Sequence, residues 1–277
     1  MAGLRGAIQH QVTELFGTND ANRIDLTRPP GDPGLFAEGG PAWKVHGDLA
    51  AMMIGGVAAL LLQMLHPGAL AGVWDHSGFR KDMRGRLRRT AQFISGTTYG
   101  STATATALID RVQAIHDRVA GVLPDGTPYS ANDPALLTWV HAAEAQCFLA
   151  GYLRYVDPGF SRRAQDEYLA ETATLARRLG AEDVPETRAA LEEYFTRMRP
   201  ALRYDHRTRE VAQALFREPP PTIALAPFQR LTMDAGVDLL PDWSARMHGV
   251  RQPGVQRAGL RLGVTGVGSV LRWALKT

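Results

Sequence analysis

The most apolar stretch of the chain runs from residue 49 to residue 65 and reads LAAMMIGGVAALLLQML. It falls a little short of the roughly 20 residues that a membrane-spanning helix needs, and it contains Gln63. Neither flank carries the basic cluster or the aromatic belt that anchors a span at a membrane surface. We therefore predict a helix that is buried on all sides at the centre of a bundle, and no membrane span. The Gly55-Gly56 pair would let a flat partner, a helix or a macrocycle, approach it closely.

Helical patterns extend through most of the remaining chain. Apolar residues at four-residue spacing predict a short amphipathic helix at the N-terminus, with Leu4, Ile8, Val12 and Phe16 on one side. Residues 28–41, RPPGDPGLFAEGGP, are dense in proline and glycine and predict a loop that lies over the domain or gates it. Strand runs, glycine-rich phosphate loops, Gly-x-Ser-x-Gly elbows and internal repeats are not evident. These patterns predict an all-α fold, with residues 1–277 forming a single-domain helical bundle.

Composition excludes several classes of function. The formal net charge of +3 over 277 residues gives no nucleic-acid footprint. The single cysteine, Cys147, excludes an internal disulfide framework, a cysteine-rich zinc site and a self-contained iron–sulfur site. The N-terminus lacks a charged segment followed by an apolar segment, so we expect no signal peptide and a cytoplasmic protein.

Two features between residues 84 and 121 bear on chemistry, and the first is Arg86-x-x-Arg89-Thr90. On a helix these positions are i, i+3 and i+4, so two guanidinium groups and a hydroxyl share one face. An arginine pair of this kind, taken alone, is more often part of a solvated helix face than of a site.

The second feature is His116, which falls within a stripe of apolar residues at helical spacing. The stripe predicts a helix over residues 101–119 and consists of Leu108, Ile109, Val112, Ile115 and Val119. A neutral imidazole on a core-facing stripe needs a partner for its lone pair, because unpaired buried polar groups are costly. A hydrogen bond within the core is the commoner partner. A metal is the alternative, and in a chain with one cysteine that metal would be a haem iron.

A second histidine, His141, lies on a helix predicted to run from Pro134 to about residue 156, capped by Asn132 or Asp133. His141, Glu144 and Phe148 share one face of that helix. His141 is therefore a rival iron ligand. The favoured interpretation makes it a core histidine that is hydrogen-bonded to Glu144.

An ordered series of short motifs resembles the haem-binding core of the latex-clearing protein (rubber oxygenase) and MpaB-type oxygenase family, over about residues 45–199. The series comprises Leu62-Gln63-x-x-His66-Pro67, His76-Ser77-x-Phe79, Arg86-x-x-Arg89-Thr90, Gly100, His116-x-x-Val119-x-Gly121, Asp125-Gly126-x-x-Tyr129-x-Ala131-x-Asp133-Pro134 and Trp139-Val140-His141. No single motif is decisive, and it is their order along the chain that carries the resemblance.

The resemblance implies that the bundle encloses a haem b and uses dioxygen to oxidise an unsaturated or lipophilic small molecule. It assigns the proximal iron ligand to His116 and the distal, catalytic face to Arg86, Arg89 and Thr90. Arg86, Arg89 and His141 would also contact the cofactor. Two alternatives remain: a haem peroxidase or peroxygenase, and a non-catalytic haem-binding or helical scaffold protein.

This sequence departs from the rubber enzymes at one position of the distal motif. Those enzymes carry a lysine where this chain has Arg89. A lysine can lose its proton and bind iron, whereas an arginine stays charged, so capping of the iron by this side chain is not expected. The resemblance also implies a catalytic carboxylate, for which Asp75 is the nearest candidate in the sequence.

Overall fold

A computed structural model of the chain describes Gly6 and residues 24–250 and 254–275. It is 70% helical, with twelve α-helices and one small two-stranded sheet among the described residues, which confirms the all-α prediction. The predicted N-terminal helix lies outside the described residues.

The helices follow one another along the chain with short connections. They are α1 (Pro41–His46), α2 (Leu49–Gln63), α3 (Pro67–His76), α4 (Met83–Tyr99), α5 (Thr102–His116), α6 (Pro134–Tyr155), α7 (Arg162–Leu179), α8 (Arg188–Met198), α9 (His206–Arg217), α10 (Ala226–Leu239), α11 (Asp242–Met247) and α12 (Gly254–Leu275). Two short 3-10 helices, Arg199–Ala201 and Ile223–Leu225, precede α9 and α10.

The apolar run forms helix α2 at the centre of the bundle, as predicted. Asp48 caps it by accepting a hydrogen bond from the Ala51 amide, and eleven of its fifteen residues are buried. Its most extensive contact is with α6, and the next is with α10. A Cβ atom added to Gly55 would lie 2.9 Å from Cδ1 of Phe148 on α6, whereas one added to Gly56 meets nothing within 4 Å. The flat partner that Gly55 admits is therefore helix α6.

The length and apolar character of the helices bear on whether the chain crosses a membrane. Among the described residues, no single helix combines the length and the apolar character needed to cross a bilayer. Helices α2 and α3 pass the same length and composition test only when taken together, and they are bent by 104° relative to each other.

A short hairpin follows α5, which the sequence did not lead us to expect. Strand β1 (Ala120–Val122) pairs antiparallel with β2 (Pro128–Ser130), and the turn between them contains Gly126 at a φ of +88°. The Asp125-Gly126 pair is typical of such a turn. Strands of three residues are too short to show an alternating pattern, so the pairing itself left no signal.

The predicted loop at residues 28–41 extends as far as the start of α1 at Pro41 and is fastened over the junction of α4 and α5. The Arg28 guanidinium donates hydrogen bonds to the carbonyls of Thr98 and Tyr99 at the end of α4. It also donates to two carbonyls within the loop. Asp32 accepts from the amide and hydroxyl of Thr102 at the start of α5. The loop therefore fixes how these two helices meet.

The C-terminal helix α12 is tied to the core through a buried carboxylate. The Asp238 side chain has no exposed surface and pairs with Arg154 on α6 and with Arg257 and Arg261 on α12. Arg272 on α12 pairs at 2.9 Å with Asp48, the residue that caps α2. These contacts join residues far apart in the sequence.

Candidate functional site

His116 is the last residue of α5, a helix that Ser101 caps by accepting from the Thr104 amide. The helix ends at His116, three residues before the predicted end at Val119. Only Ile109 of the apolar stripe is fully buried, and the Ile115 side chain is 45% exposed. The prediction that the whole stripe faces the core was therefore wrong for its C-terminal turn, because α5 lies at the edge of the bundle there.

The imidazole of His116 nevertheless carries an unsatisfied nitrogen. Its Nδ1 atom is buried and has no hydrogen-bond partner among the described residues. Burial lowers the pKa of this histidine, with an opposing contribution from the neighbouring Asp117. A neutral ring with an unused buried nitrogen has the form that a metal ligand requires.

His46 shows what a satisfied buried histidine looks like in the same molecule. Its Nδ1 lies 2.8 Å from the Thr98 hydroxyl and its Nε2 lies 3.2 Å from the Tyr168 hydroxyl. Burial lowers its pKa to about 3. Because both ring nitrogens have partners, His46 is explained as a structural residue and leaves no atom for a ligand.

The distal motif lies on α4, which begins after Asp82 and carries Arg86 in its first turns. Arg86 is largely enclosed by protein, and burial lowers the pKa of its guanidinium. Nearby Arg89 lowers that pKa further, while Glu144 on α6 opposes the shift. Among the described residues its guanidinium donates no hydrogen bond and makes no ion pair within 4.0 Å. In the described part of the chain, its nitrogen atoms are not among the buried side-chain atoms that lack a partner, so they keep surface that water or a ligand can reach.

The side chains of the other two residues of the motif lie at the surface. The Arg89 side chain is 60% exposed and pairs with Asp82 at 3.4 Å. Thr90 is exposed, and its hydroxyl donates to the Arg86 carbonyl at 3.3 Å. The structure therefore places Arg86 inside and does not bring Arg89 and Thr90 to the same interior position.

His141 lies on α6, which Asp133 caps and Pro134 begins, as predicted. The histidine is enclosed, and burial lowers its pKa to about 4, with a smaller contribution from Arg177. Its Nε2 atom is buried without a hydrogen-bond partner among the described residues. The predicted hydrogen bond to Glu144 is not formed, so His141 is a second histidine with an unused nitrogen.

Glu144 is bonded instead to Gln63 on the central helix. The Gln63 amide donates to Oε1 of Glu144 at 3.1 Å and to the Val140 carbonyl at 3.3 Å. The Gln63 backbone carbonyl in turn accepts from the Trp139 indole at 3.1 Å. Burial raises the pKa of Glu144 to about 7, although Gln63 and Arg86 both favour its ionised form. Two motifs that are far apart in the sequence thus meet at an interior carboxyl group.

Glu144 is an interior carboxyl group that the sequence analysis did not propose as the catalytic carboxylate. Its signal was available, since it is a glutamate within a largely buried helix, three residues after His141. The residue chosen instead, Asp75, is exposed, and it accepts a hydrogen bond from the Tyr129 hydroxyl at 2.7 Å. Gly121 leaves room for the Tyr129 ring, which would lie 2.9 Å from an added Cβ. Asp75 therefore anchors the hairpin to α3 and does not face the interior cluster.

The donor set fits a haem better than a metal ion held by side chains alone. Among the described residues, no group of three or more histidine, cysteine, aspartate or glutamate side chains is arranged to hold a metal ion. A haem would bring most of the ligands of its iron with it and would need one histidine from the protein. The unused nitrogens of His116 and His141 each meet that requirement.

Comparison with known proteins identifies the family. Residues 43–273 match the family described as "ER-bound oxygenase mpaB/B'/Rubber oxygenase, catalytic domain". Comparisons with curated proteins and with solved structures give no match. The match covers most of the chain and includes every motif of the resemblance. The chain therefore belongs to the mpaB and rubber oxygenase catalytic-domain family, and it carries an oxygenase catalytic domain.

Proposed function

We propose that the protein is a haem-b-dependent oxygenase that uses dioxygen to oxidise an unsaturated or lipophilic small molecule. The observation that carries the proposal is the buried Nδ1 atom of His116, which has no hydrogen-bond partner among the described residues. Within an oxygenase family, an enclosed neutral imidazole with a free nitrogen is best explained as an iron ligand. His141 is the second candidate for that position.

The interior groups around His141 support a ligand-binding space. Arg86, His141 and Glu144 are surrounded by protein atoms, yet each retains accessible surface. Side chains with both properties are typical of the walls of an internal pocket. The residues one turn further along α6 from Glu144, Cys147 and Phe148, are buried and apolar. Such walls favour a largely apolar substrate.

Each of the interior residues would have its own role in the reaction. A bound haem supplies the iron that activates dioxygen. His116 would hold that iron, and Arg86 would present hydrogen-bond donors from α4. Gln63 keeps the Glu144 carboxyl group in place by donating a hydrogen bond to it at 3.1 Å. The buried apolar side chains around them exclude water from the reacting substrate.

Oxygen consumption tests this function directly. The purified protein, supplied with haem, is mixed with a polyunsaturated lipid in air-saturated buffer, and dissolved oxygen and the oxidised product are measured. We expect consumption of dioxygen in proportion to product, and no consumption with His116→Ala. Product formed only when hydrogen peroxide replaces dioxygen would instead identify the peroxidase alternative. A protein that binds haem without turnover under either condition would contradict an enzymatic role.

A further inference from the structure

The buried carboxylate of Asp238 is shared by more guanidinium groups than it can satisfy. Its Oδ2 atom lies 3.1 Å from Nη1 of Arg154 and 2.8 Å from Nε of Arg261. Its Oδ1 atom lies 3.2 Å from Nη2 of Arg261 and 3.2 Å from Nε of Arg257. A carboxylate offers about four acceptor positions, whereas three guanidinium groups carry about 15 N–H donors. Most of these donors therefore need acceptors other than Asp238.

The charges of this cluster do not balance. Three arginines carry +3 and Asp238 carries −1, which leaves +2 among the groups in contact. Asp234, which is exposed one turn earlier on α10, would reduce this excess to +1 without removing it. The side chains of Arg154, Arg257 and Arg261 remain 32%, 30% and 43% exposed. An anion from outside the chain can therefore reach them.

Two buried polar atoms of this cluster have no hydrogen-bond partner in the described part of the chain. One is Nε of Arg257, which lies near Asp238 without donating a hydrogen bond to it. The other is the hydroxyl of Tyr155, a residue that follows Arg154 on α6 and is only 6% exposed. Burial raises the pKa of this hydroxyl, and Arg154, Asp238 and Arg261 also act on it. Because unpaired buried donors are costly, a ligand oxygen held between the flexible arginine side chains would stabilise both groups.

The cluster lies apart from the interior carboxyl group of Glu144. Arg154 is ten residues further along α6, which corresponds to about 15 Å along the helix axis. The other members of the cluster come from α10 and α12. An anion bound here would join α6, α10 and α12 outside the proposed reaction space.

We propose that Arg154, Tyr155, Arg257 and Arg261, arranged around Asp238, bind the phosphate group of a phosphate monoester. Guanidinium groups donate paired hydrogen bonds to phosphate oxygens and stay charged at any pH the protein meets. A phosphate monoester carries a charge of about −1.5 to −2 near pH 7, which matches the excess of positive charge in the cluster. A carboxylate brings one charge and two oxygens, so it would leave part of that excess unbalanced. The phosphate belongs either to a soluble molecule or to a lipid headgroup.

Calorimetry on the full chain at constant ionic strength tests the site. The probe is glycerol 3-phosphate, and acetate is the comparison. We expect saturable binding of glycerol 3-phosphate and none of acetate. Arg257→Gln should weaken the binding by about tenfold or more, whereas Arg272→Gln, an arginine of the same helix that pairs with Asp48, should bind like the wild type. Equal binding of the two anions, or equal losses in the two variants, would overturn the site.

Tyr155→Phe distinguishes a ligand site from an ion-pair cluster that only stabilises the fold. Because the hydroxyl has no hydrogen-bond partner among the described residues, its removal should not lower the urea midpoint of the ligand-free protein. We expect the same variant to bind glycerol 3-phosphate about tenfold more weakly than the wild type. A wild-type affinity in Tyr155→Phe would overturn the proposed site.

Vesicles distinguish the two sources of the phosphate group. Co-sedimentation with phosphatidylcholine vesicles that contain phosphatidic acid, lost in Arg257→Gln, would assign the site to a lipid headgroup. Binding of glycerol 3-phosphate without co-sedimentation would assign it to a soluble molecule. A folded wild-type protein that binds neither would overturn the proposal. These measurements need no haem, so their outcome is independent of the proposed oxygenase function.

Discussion

Three enclosed histidines differ in whether their ring nitrogens have hydrogen-bond partners. His46, His116 and His141 all have pKa values lowered by burial, so all three are neutral near pH 7. They differ in their contacts, because both nitrogens of His46 have partners while one nitrogen of each of the others has none. The sequence predicted the helices that carry His116 and His141, but not the short helix that carries His46. It could not predict the partners of His46, which come from residues 98 and 168.

Arg89 provides a test at the same scale. Its side chain is 60% exposed and pairs with Asp82, so we expect Arg89→Lys to leave the visible spectrum of the haem-loaded protein unchanged between pH 7 and pH 10. A lysine at the iron would instead lose its proton and convert the spectrum to a six-coordinate low-spin form. Appearance of that form would place residue 89 beside the iron and contradict its position in the structure.

The spacing of the distal motif shows why sequence located only part of the site. Residues i, i+3 and i+4 span about 100° of a helix surface, since each residue advances by about 100°. Arg86 lies between Arg89 and Thr90 in angle and about one turn nearer the start of α4, so the boundary between core and solvent separates them along the helix axis. Where that boundary falls depends on α6 and on other parts of the chain, which the local pattern does not contain.

At the scale of elements, local signals predicted the Asp133 cap of α6, whereas α5 ends three residues before its predicted end. Asp48, Asp133 and Gly180 each cap or end a helix where their own chemistry requires it, and Gly180 adopts a φ of +107°. Helix α7 begins at Arg162, after the Ser161 cap. The hairpin was missed altogether, since it is held by its packing on α3 more than by its own pattern.

The contact between α2 and α6 gives a prediction with a matched control. A Cβ atom at Gly55 would lie 2.9 Å from the Phe148 ring and 3.0 Å from the Cys147 carbonyl, so the two helices would have to separate. We expect Gly55→Ala to lower the free energy of unfolding by about 1–3 kcal/mol. Gly56→Ala faces open space and should stabilise the helix by up to about 1 kcal/mol. Chemical denaturation measures both, and equal effects in the two variants would contradict the close packing.

Across the whole molecule, the bundle depends on contacts that link distant segments. Gln63 and Glu144 are 81 residues apart, and Arg272 and Asp48 are 224 apart. The ordered motifs of the sequence predicted the family as a set, but not these contacts. The partners themselves could not be predicted, since long-range pairing depends on the packing of all the helices together.

The buried carboxylate of Asp238 tests this dependence. Removing it with Asp238→Ala would leave Arg154, Arg257 and Arg261 without their shared partner, and we expect a loss of about 3 kcal/mol in the free energy of unfolding. Glu193→Ala, which breaks an exposed pair with Arg197, should have a much smaller effect. Similar losses in the two variants would show that α12 is not held by the buried carboxylate.

A haem titration followed at the Soret band tests the proposed function most directly. The wild-type protein, His116→Ala and His141→Ala are each titrated with haem b, and folding is checked by far-ultraviolet circular dichroism. We predict stoichiometric binding with a shifted Soret band for the wild type, retention of most binding by His141→Ala, and loss of stable binding by a folded His116→Ala. Loss only in His141→Ala would move the iron ligand to α6. A folded wild-type protein that gives no shifted Soret band would contradict haem dependence.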